Sequence, residues 1–307
     1  MALIFFFTLW SFMAVCSPLQ EEAKRAASQN PSPMTDSTRS HVRIPQKPYA
    51  GISFTISDLF SQPVDVFIPR KVQHKARVNL LIHFHGANFV LQHAVSETSG
   101  DFMAAVINLG AGSKVYADAF DSPERFLLLL ECIRAETGRR LGHGVAIEKV
   151  TLSGFSAGYG AIRRILQWQA DYERVASVIL LDGLHAGYVP DGRVLYEGGR
   201  IDASGLAPFI KLAGESSMKS SAKRFLITHS EIFPGTFVST TEATDFILKE
   251  LSVKRHPVLR CGPGGMQQLS FARKSHFEVM GFAGNTAPDH VDHFHGLAYF
   301  LKELRKL

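Results

Sequence analysis

Short apolar runs alternate with longer mixed stretches along most of the chain after Tyr49. The apolar runs predict strands at residues 78–84, 103–109, 147–153, 175–181, 224–228 and 276–282. The mixed stretches predict helices at residues 123–137, 157–170, 242–251 and 289–304. Alternating strands and helices indicate a mostly parallel sheet, and strands that are apolar throughout indicate a sheet covered on both faces. The pattern therefore predicts an α/β fold in which helices flank a mostly parallel central sheet.

One connection in this alternation is unusually long. Residues 183–222 separate the strand that ends at Leu181 from the strand that begins at Arg224. Connections inside a compact domain have a median length of about 4–6 residues, and much longer ones often carry functional lids. We therefore expect residues 183–222 to form a cap or lid over a site at the edge of the sheet.

The N-terminal residues differ in composition from the rest of the chain. Residues 2–15 are almost wholly apolar, and small residues surround Cys16. Because a membrane-spanning helix needs about 20 residues, this shorter run favours a signal peptide. We expect it to cover residues 1–16 and to direct the protein to the periplasm, the cell envelope or the exterior. The alternatives are an uncleaved membrane anchor and a lipid on Cys16, and both would attach the N-terminus to a membrane or envelope.

The segment after this run is polar. Residues 17–48 are rich in Ser, Pro, Gln, Asn and charged residues and have no apolar periodicity, so they predict a flexible linker. The folded domain is then expected at residues 49–307, a length sufficient to bury a large core.

Charge and cysteine content change this picture little. The net charge of +5 comes from 33 basic and 28 acidic residues without a long basic run, so nucleic-acid binding is not expected. Besides Cys16, the chain has Cys132 and Cys261. Whether these two cysteines pair depends on the fold, because a disulfide requires their Cα atoms to lie close together.

The most specific motif is a Gly-x-Ser-x-Gly pattern. The predicted strand at 147–153 leads into Gly154-Phe155-Ser156-Ala157-Gly158, and a predicted helix follows. A nucleophilic serine on such a strained turn needs small residues on both sides, so that strand and helix can approach closely. The helix N-terminus behind the serine would favour a developing oxyanion, and the Ala157 amide is its natural first donor.

This motif and the strand order around it resemble the α/β-hydrolase superfamily, over residues 49–307. The resemblance is to esterase-like serine hydrolases in general and does not indicate a particular substrate family. It implies an α/β-hydrolase fold, a catalytic triad in the chain order serine, acid, histidine, and no cofactor.

The loop after the strand at 78–84 is the candidate for the second oxyanion donor. In the superfamily this loop supplies an amide, often in a His-Gly setting, and here the amide of Gly86 or Ala87 would do so. The alternative is a metal site, because alternation along a strand would place His83 and His85 on one face. The residues that follow do not continue a metallo-hydrolase pattern, so we expect no metal.

The general base is sought after the last predicted strand. Asp289 is predicted to cap the helix that follows, which would place His290 on its first turn. We therefore favour His290 as the base, with His293 as the alternative, because a residue deeper in the helix reaches the nucleophile less easily. His295 is expected to be structural.

The acid has two candidates at carboxyl ends of strands. Asp182 follows the strand at 175–181, and Glu231 follows the strand at 224–228. Ligands of open α/β sheets bind at these ends, so both positions fit. Asp182 lies in an apolar run, where a buried carboxylate needs a partner such as a histidine N–H. We favour Asp182 and keep Glu231 as the alternative acid.

Together these residues predict a serine hydrolase that cleaves carboxylic esters through an acyl-enzyme intermediate. Its substrate would be a small-molecule ester or another acylated compound. The sequence does not separate an ester from an amide or peptide bond. In another class, the alternative is a non-catalytic binding protein tethered at the envelope, but such a role does not require a serine on a strained turn.

Overall fold

The computed structural model describes residues 40–307, so the predicted signal peptide and most of the predicted linker lie outside the described residues. The strands are β1 Gly51–Ile56, β2 Val64–Pro69, β3 Arg77–Phe84, β4 Phe102–Ile107, β5 Ala146–Phe155, β6 Val175–Leu181, β7 Tyr188–Val189, β8 Arg200–Ile201, β9 Arg224–His229, β10 His256–Cys261, β11 Gln267–Lys274 and β12 Phe277–Phe282. The helices are α1 Asn88–Glu97, α2 Ser113–Asp118, α3 Pro123–Leu141, α4 Tyr159–Gln167, α5 Gln169–Arg174, α6 Ala207–Ser216, α7 Thr240–Glu250, α8 Ala287–His295 and α9 Leu297–Lys306.

Ten of these strands form one sheet in the order β1-β2-β4-β3-β5-β6-β9-β12-β11-β10. The six strands from β4 to β12 in this order are parallel to one another. The pairs β1–β2 and β11–β10 close the two edges with antiparallel strands. A parallel centre in this order is the arrangement of the α/β-hydrolase fold, and the predicted fold class is confirmed.

The core lies on both faces of the sheet. Alternation along β3 sends Leu80 and Ile82 into one cluster and Leu81 into the other. Helices α2 to α7 cover the first face, and α1, α8 and α9 cover the second. Strands buried on both faces need apolar residues at every position, which is why the central strands are continuous apolar runs in the sequence.

The antiparallel strands at the edges were not predicted. β1, β10 and β11 mix polar and apolar residues, and β10 is largely exposed, whereas β2 is a short buried strand whose apolar run is interrupted by Asp65. An edge strand or a strand with one solvated face carries no continuous apolar run, so the signal that identified the central strands is absent.

The last predicted helix is divided in the structure. Helices α8 and α9 meet at Gly296, where a side chain would lie 2.7 Å from the ring of Phe300 and 3.0 Å from Pro263. The predicted helix at 157–170 is likewise divided at Trp168 into α4 and α5. Close packing at Gly296 leaves no room for a side chain where α8 and α9 meet.

The predicted cap at 183–222 has two different parts. Its first half contains the small β7–β8 hairpin, which lies outside the main sheet. Its second half contains α6, whose Phe209 is fully buried and stacks on Phe225 of β9 with ring centroids 6.2 Å apart. The expectation of a cap therefore does not hold for residues 207–216, because α6 is a crossover helix that covers the sheet.

Residues 40–48, the described part of the predicted linker, contact the folded domain. Arg43 Nη1 lies 2.7 Å from Asp292 Oδ1, and Nη2 donates a hydrogen bond of 2.8 Å to the carbonyl of Pro288. His41 Nδ1 donates to the other oxygen of Asp292 over 2.8 Å. The N-terminal boundary of the packed domain therefore lies before Tyr49. In the described range, no helix has the length and apolar character needed to cross a membrane.

Candidate active site

Ser156 lies at a sharp turn between β5 and α4. Its φ angle is +48°, in the left-handed region that residues other than glycine rarely occupy. A Cβ at Gly158 would overlap the carbonyl oxygen of Phe84, and a Cβ at Gly154 would lie 3.0 Å from the carbonyl carbon of Gly158. The two glycines therefore permit the close approach of strand, turn and helix that holds the serine in a strained conformation.

Asp182 and His290 form a direct contact. His290 Nδ1 donates a hydrogen bond of 2.7 Å to Asp182 Oδ2. Asp182 is buried just beyond β6, whereas His290 lies in α8 and remains partly exposed. Since the Nδ1 of His290 carries the proton in this contact, its Nε2 has the lone pair that a general base needs.

Ser230 also supports the carboxylate of Asp182. Its backbone N–H donates to Oδ1 over 2.9 Å, and its hydroxyl donates to Oδ2 over 2.7 Å. Burial alone would raise the pKa of Asp182, but the imidazoles of His293 and His290 and the hydroxyl of Ser230 hold it below its usual range. Asp182 is thus an anion inside the protein, with donors on both carboxylate oxygens.

This pair lies against the backbone of Ser156. A Cβ at Gly183, the residue after Asp182, would lie 2.6 Å from the backbone nitrogen of Ser156. On the other side, the ring of His290 lies 4.5 Å from the ring of Phe155, centroid to centroid. Within residues 40–307 the hydroxyl of Ser156 makes no hydrogen bond. Contacts between catalytic groups are often long without substrate and tighten only when substrate binds.

The two candidate amides of the second oxyanion donor are in different environments. The N–H of Gly86 donates to Asn108 Oδ1 over 2.7 Å, and the amide of Asn108 returns a bond of 2.8 Å to the carbonyl of Gly86. The N–H of Ala87, at the N-cap of α1, has no partner within the part of the chain that the structure describes. Ala87 is therefore the available donor, while Gly86 holds the loop on Asn108.

The first oxyanion candidate, Ala157, lies directly after the serine. It belongs to a short 3-10 turn, Ser156–Gly158, that continues into α4. The first N–H groups of a helix have no partner inside the helix, so they are free to bind an incoming oxygen.

His83 and His85 do not share a partner. His83 is buried, donates from Nε2 to the carbonyl of His85 over 3.2 Å, and accepts at Nδ1 from the hydroxyl of Ser153 over 2.7 Å. Burial lowers the pKa of His83 to about 3, so it is neutral near pH 7. His85 has a positive φ, +70°, and its Nδ1 lies 2.9 Å from the hydroxyl of Tyr116. Both histidines therefore hold the loop beside the serine, and the strand alternation that suggested a shared metal ends before His85.

Within the described residues, one group of potential metal ligands is close together. His41, Asp289 and Asp292 offer ligand atoms within 4.8 Å of one another. The guanidinium of Arg43 already lies 2.7 Å from Asp292, and it supplies positive charge where a metal ion would do so. This arrangement ties the N-terminal segment to α8.

The alternative base, His293, bonds to Thr228 rather than to Asp182. It is buried in α8 and shares a hydrogen bond of 2.8 Å with the hydroxyl of Thr228. Burial lowers its pKa to about 4, so it is neutral near pH 7. His295 accepts a hydrogen bond of 3.0 Å from the N–H of Ile44 and thus holds the N-terminal segment.

The alternative acid, Glu231, contacts the loop that precedes α8. Its Oε2 accepts a hydrogen bond of 3.0 Å from the N–H of Gly284, and its own N–H donates to the carbonyl of Gly284 over 2.8 Å. The cap of α8 also differs from the prediction. Thr286 is the N-cap, and Asp289 is the third helical residue of a capping box, because its carboxylate accepts hydrogen bonds from the N–H and the hydroxyl of Thr286.

Sequence reasoning missed several residues of this site. Asn108, Tyr116 and Ser230 hold, respectively, the Gly86 loop, His85 and Asp182. Asn108 and Ser230 each lie one residue beyond the end of a central strand, so a polar residue at such an end was the available signal. Tyr116 lies in a six-residue helix, and no pattern indicated that it would face the site.

Solved structures of similar shape include several esterases. A feruloyl esterase module of Clostridium thermocellum is 12% identical with a TM-score of 0.49, and the match covers 89% of this chain and 95% of that one. An arylesterase is 12% identical with a TM-score of 0.47, over 94% of this chain and 90% of that one. An S-formylglutathione hydrolase from Agrobacterium tumefaciens is 10% identical with a TM-score of 0.47, over 87% and 99%.

No family model and no curated protein matches the chain. The assignment of the fold therefore rests on the strand order and on the turn at Ser156.

Proposed function

We propose that this protein is a serine hydrolase that cleaves carboxylic esters, with Ser156 as nucleophile, His290 as base and Asp182 as acid. The observation that carries the proposal is the 2.7 Å hydrogen bond between His290 and Asp182 beside a serine held at φ +48°. A protein that only binds a ligand has no need for a strained serine next to a histidine–carboxylate pair.

In the proposed reaction, His290 Nε2 takes the proton of the Ser156 hydroxyl as the serine oxygen attacks the ester carbonyl. The N–H groups of Ala157 and Ala87 stabilise the negative charge that develops on the carbonyl oxygen. The imidazolium then gives its proton to the leaving alcohol, and an acyl-enzyme remains. Water, deprotonated by the same histidine, releases the carboxylic acid and regenerates Ser156.

Asp182 has an orienting role in this proposal. Because its carboxylate accepts the Nδ1 proton, it holds His290 in the tautomer whose Nε2 can accept the serine proton. The two hydrogen bonds that Ser230 donates to the carboxylate stabilise its charged form.

The test combines covalent labelling with hydrolysis of matched ester and amide substrates that share one acyl group. A fluorophosphonate should label Ser156 of the native protein, and Ser156→Ala should lose both labelling and ester hydrolysis while keeping the native melting temperature. Ser61→Ala is the control, since Ser61 is exposed in the loop before β2. Normal ester turnover by Ser156→Ala would exclude this mechanism. If the native protein hydrolyses the amide as fast as the matched ester, the assignment of an ester bond as the substrate bond is wrong.

We also propose that the chain is exported, as its apolar residues 2–15 favour. A protein recovered from outside the cytoplasm should have an N-terminus at or after Cys16, measured by mass spectrometry of the intact chain. A cytoplasmic protein that retains Ala2 would contradict this.

A further inference from the structure

A polar cleft lies between α2 and α4 on one side and the segment that follows β6 on the other. Its volume is about 370 Å³, and its lining includes Arg163, Arg164, Ala186, Gly187 and Asp202. The part of the predicted cap that lies outside the main sheet thus forms one wall. The cleft contains two guanidinium groups and one carboxylate, so its charge balance is positive.

The guanidinium of Arg163 has no acidic partner in the described part of the chain. It is half-buried, and it takes part in no hydrogen bond or ion pair with residues 40–307. The guanidinium lies over the face of Tyr159, with Cζ 5.5 Å from the ring centroid. A partly desolvated arginine with unused donors is suited to bind an anion, because its planar fork matches a carboxylate or a phosphate.

The carboxylate in the same cleft is already engaged. Asp202 Oδ1 accepts hydrogen bonds of 3.0 Å from the N–H of Ser204 and 2.6 Å from its hydroxyl. It therefore closes the turn that carries Gly205. A Cβ at Gly205 would lie 3.6 Å from Arg163 Nη1, so this glycine leaves space directly beside the guanidinium.

The position of Arg163 relates the cleft to Ser156. Arg163 is seven residues after Ser156, which at 1.5 Å per helical residue is roughly 10 Å along the axis. Helical side chains lean toward the N-terminus, and the contact with Tyr159, four residues earlier, agrees with this direction. The guanidinium therefore lies on the serine side of its own Cα, toward Tyr159.

We infer that Arg163, assisted by Arg164, binds an anionic group of the substrate, a carboxylate or a phosphate, while the ester carbonyl lies at Ser156. This inference rests on the proposed function and specifies the substrate class as an ester that carries a negative charge several bonds from the scissile carbonyl.

The test uses 4-nitrophenyl esters in pairs that differ only at the far end of the acyl chain. One member ends in a carboxylate and the other in a methyl group, over a range of chain lengths, and a second series places the same groups on the alcohol. A phosphate-ended set distinguishes the two anions. The native protein should prefer an anionic member in kcat/KM by about tenfold to a hundredfold at one spacer length, the range expected for a charged hydrogen bond.

The variants locate the effect. Arg163→Met should abolish the preference and leave kcat/KM for the neutral esters unchanged, whereas Arg163→Lys should retain part of it. Arg134→Met is the control, because Arg134 is exposed on α3 and pairs with Glu131 instead. Native preference for anionic esters should also decrease with added salt.

The outcomes separate the two proposals. If neutral esters are hydrolysed through Ser156 but neither series shows an anion preference that Arg163→Met removes, the inference is wrong and the proposed function stands. If no ester is hydrolysed, the proposed function fails, and calorimetry of the same ligands with Ser156→Ala and with Ser156→Ala/Arg163→Met decides about the cleft. Equal binding of anionic and neutral ligands there would overturn the inference.

Discussion

At the scale of single residues, the two acidic candidates differ in what they hold. Asp182 binds the imidazole of His290, and Glu231 binds the backbone of Gly284 in the loop before α8. The first contact controls a tautomer and a charge, whereas the second controls a loop position. Removal of the Asp182 charge should therefore affect catalysis directly, whereas removal of the Glu231 charge should affect only the position of the loop.

Asp182→Asn should lower kcat by about 10³- to 10⁴-fold, because an amide no longer stabilises the required tautomer or the imidazolium. Glu231→Gln preserves the shape and an acceptor oxygen for Gly284, so its kcat should remain within about tenfold of the native value. Steady-state hydrolysis of one neutral ester by both variants checks this. The reverse order of effects would assign the acid to Glu231.

At the scale of elements, α8 carries His290 and is held from outside by the N-terminal segment. Arg43 reaches the carbonyl of Pro288 and the carboxylate of Asp292, which lie two residues before and two residues after His290. His41 and the N–H of Ile44 add bonds to Asp292 and His295. The orientation of the proposed base therefore depends on residues at the opposite end of the described chain.

Arg43→Ala should destabilise the protein by about 1–3 kcal/mol, since it leaves the buried Asp292 without its guanidinium partner. Arg43→Lys should restore part of this loss, because the charge returns without the second bond of the fork. Urea unfolding of both variants measures the change. Arg134→Ala is the control, because its exposed pair with Glu131 should contribute under about 1 kcal/mol. Equal effects of Arg43→Ala and Arg134→Ala would show that the N-terminal segment does not hold α8.

At the scale of the whole molecule, two neutral histidines in the interior couple stability to pH. Burial lowers the pKa of His83 to about 3 and that of His293 to about 4, whereas an unfolded histidine titrates near 6.5. Between these values the unfolded chain binds protons that the folded protein does not. The stabilisation is thus fully present above about pH 6.5 and is lost as the pH falls toward 4 and then 3.

We expect the free energy of unfolding to fall by several kcal/mol as the pH is lowered from 7.5 to 4.5. Each histidine contributes about 1.4 kcal/mol for every pH unit between its unfolded pKa and the lower pH. His293→Phe should make this dependence shallower, because its site between Phe282 and Phe300 already accommodates an aromatic ring. Urea midpoints across this pH range provide the measurement. An unchanged slope in His293→Phe would mean that other groups cause the acid sensitivity.

The sequence by itself determined the parallel centre of the sheet and the turn at Ser156. These features are local: a strand buried on both faces requires a continuous apolar run, and a strained turn requires Gly154 and Gly158. Each signal lies within about ten neighbouring residues, so it can be recognised without knowledge of the fold.

Only the tertiary structure decided which side chains meet. Asp182 and His290 are 108 positions apart in the sequence, and Arg43 and Asp292 are still farther apart. The N–H of Gly86, just after β3, donates to the side chain of Asn108, just after β4. The helical character of residues 207–216 as a sheet cover, and the mixed strands at both edges, also depend on neighbours that are remote along the chain. The physical reason is that a hydrogen bond depends on distance and direction in space, whereas periodicity records only which face of one element is buried.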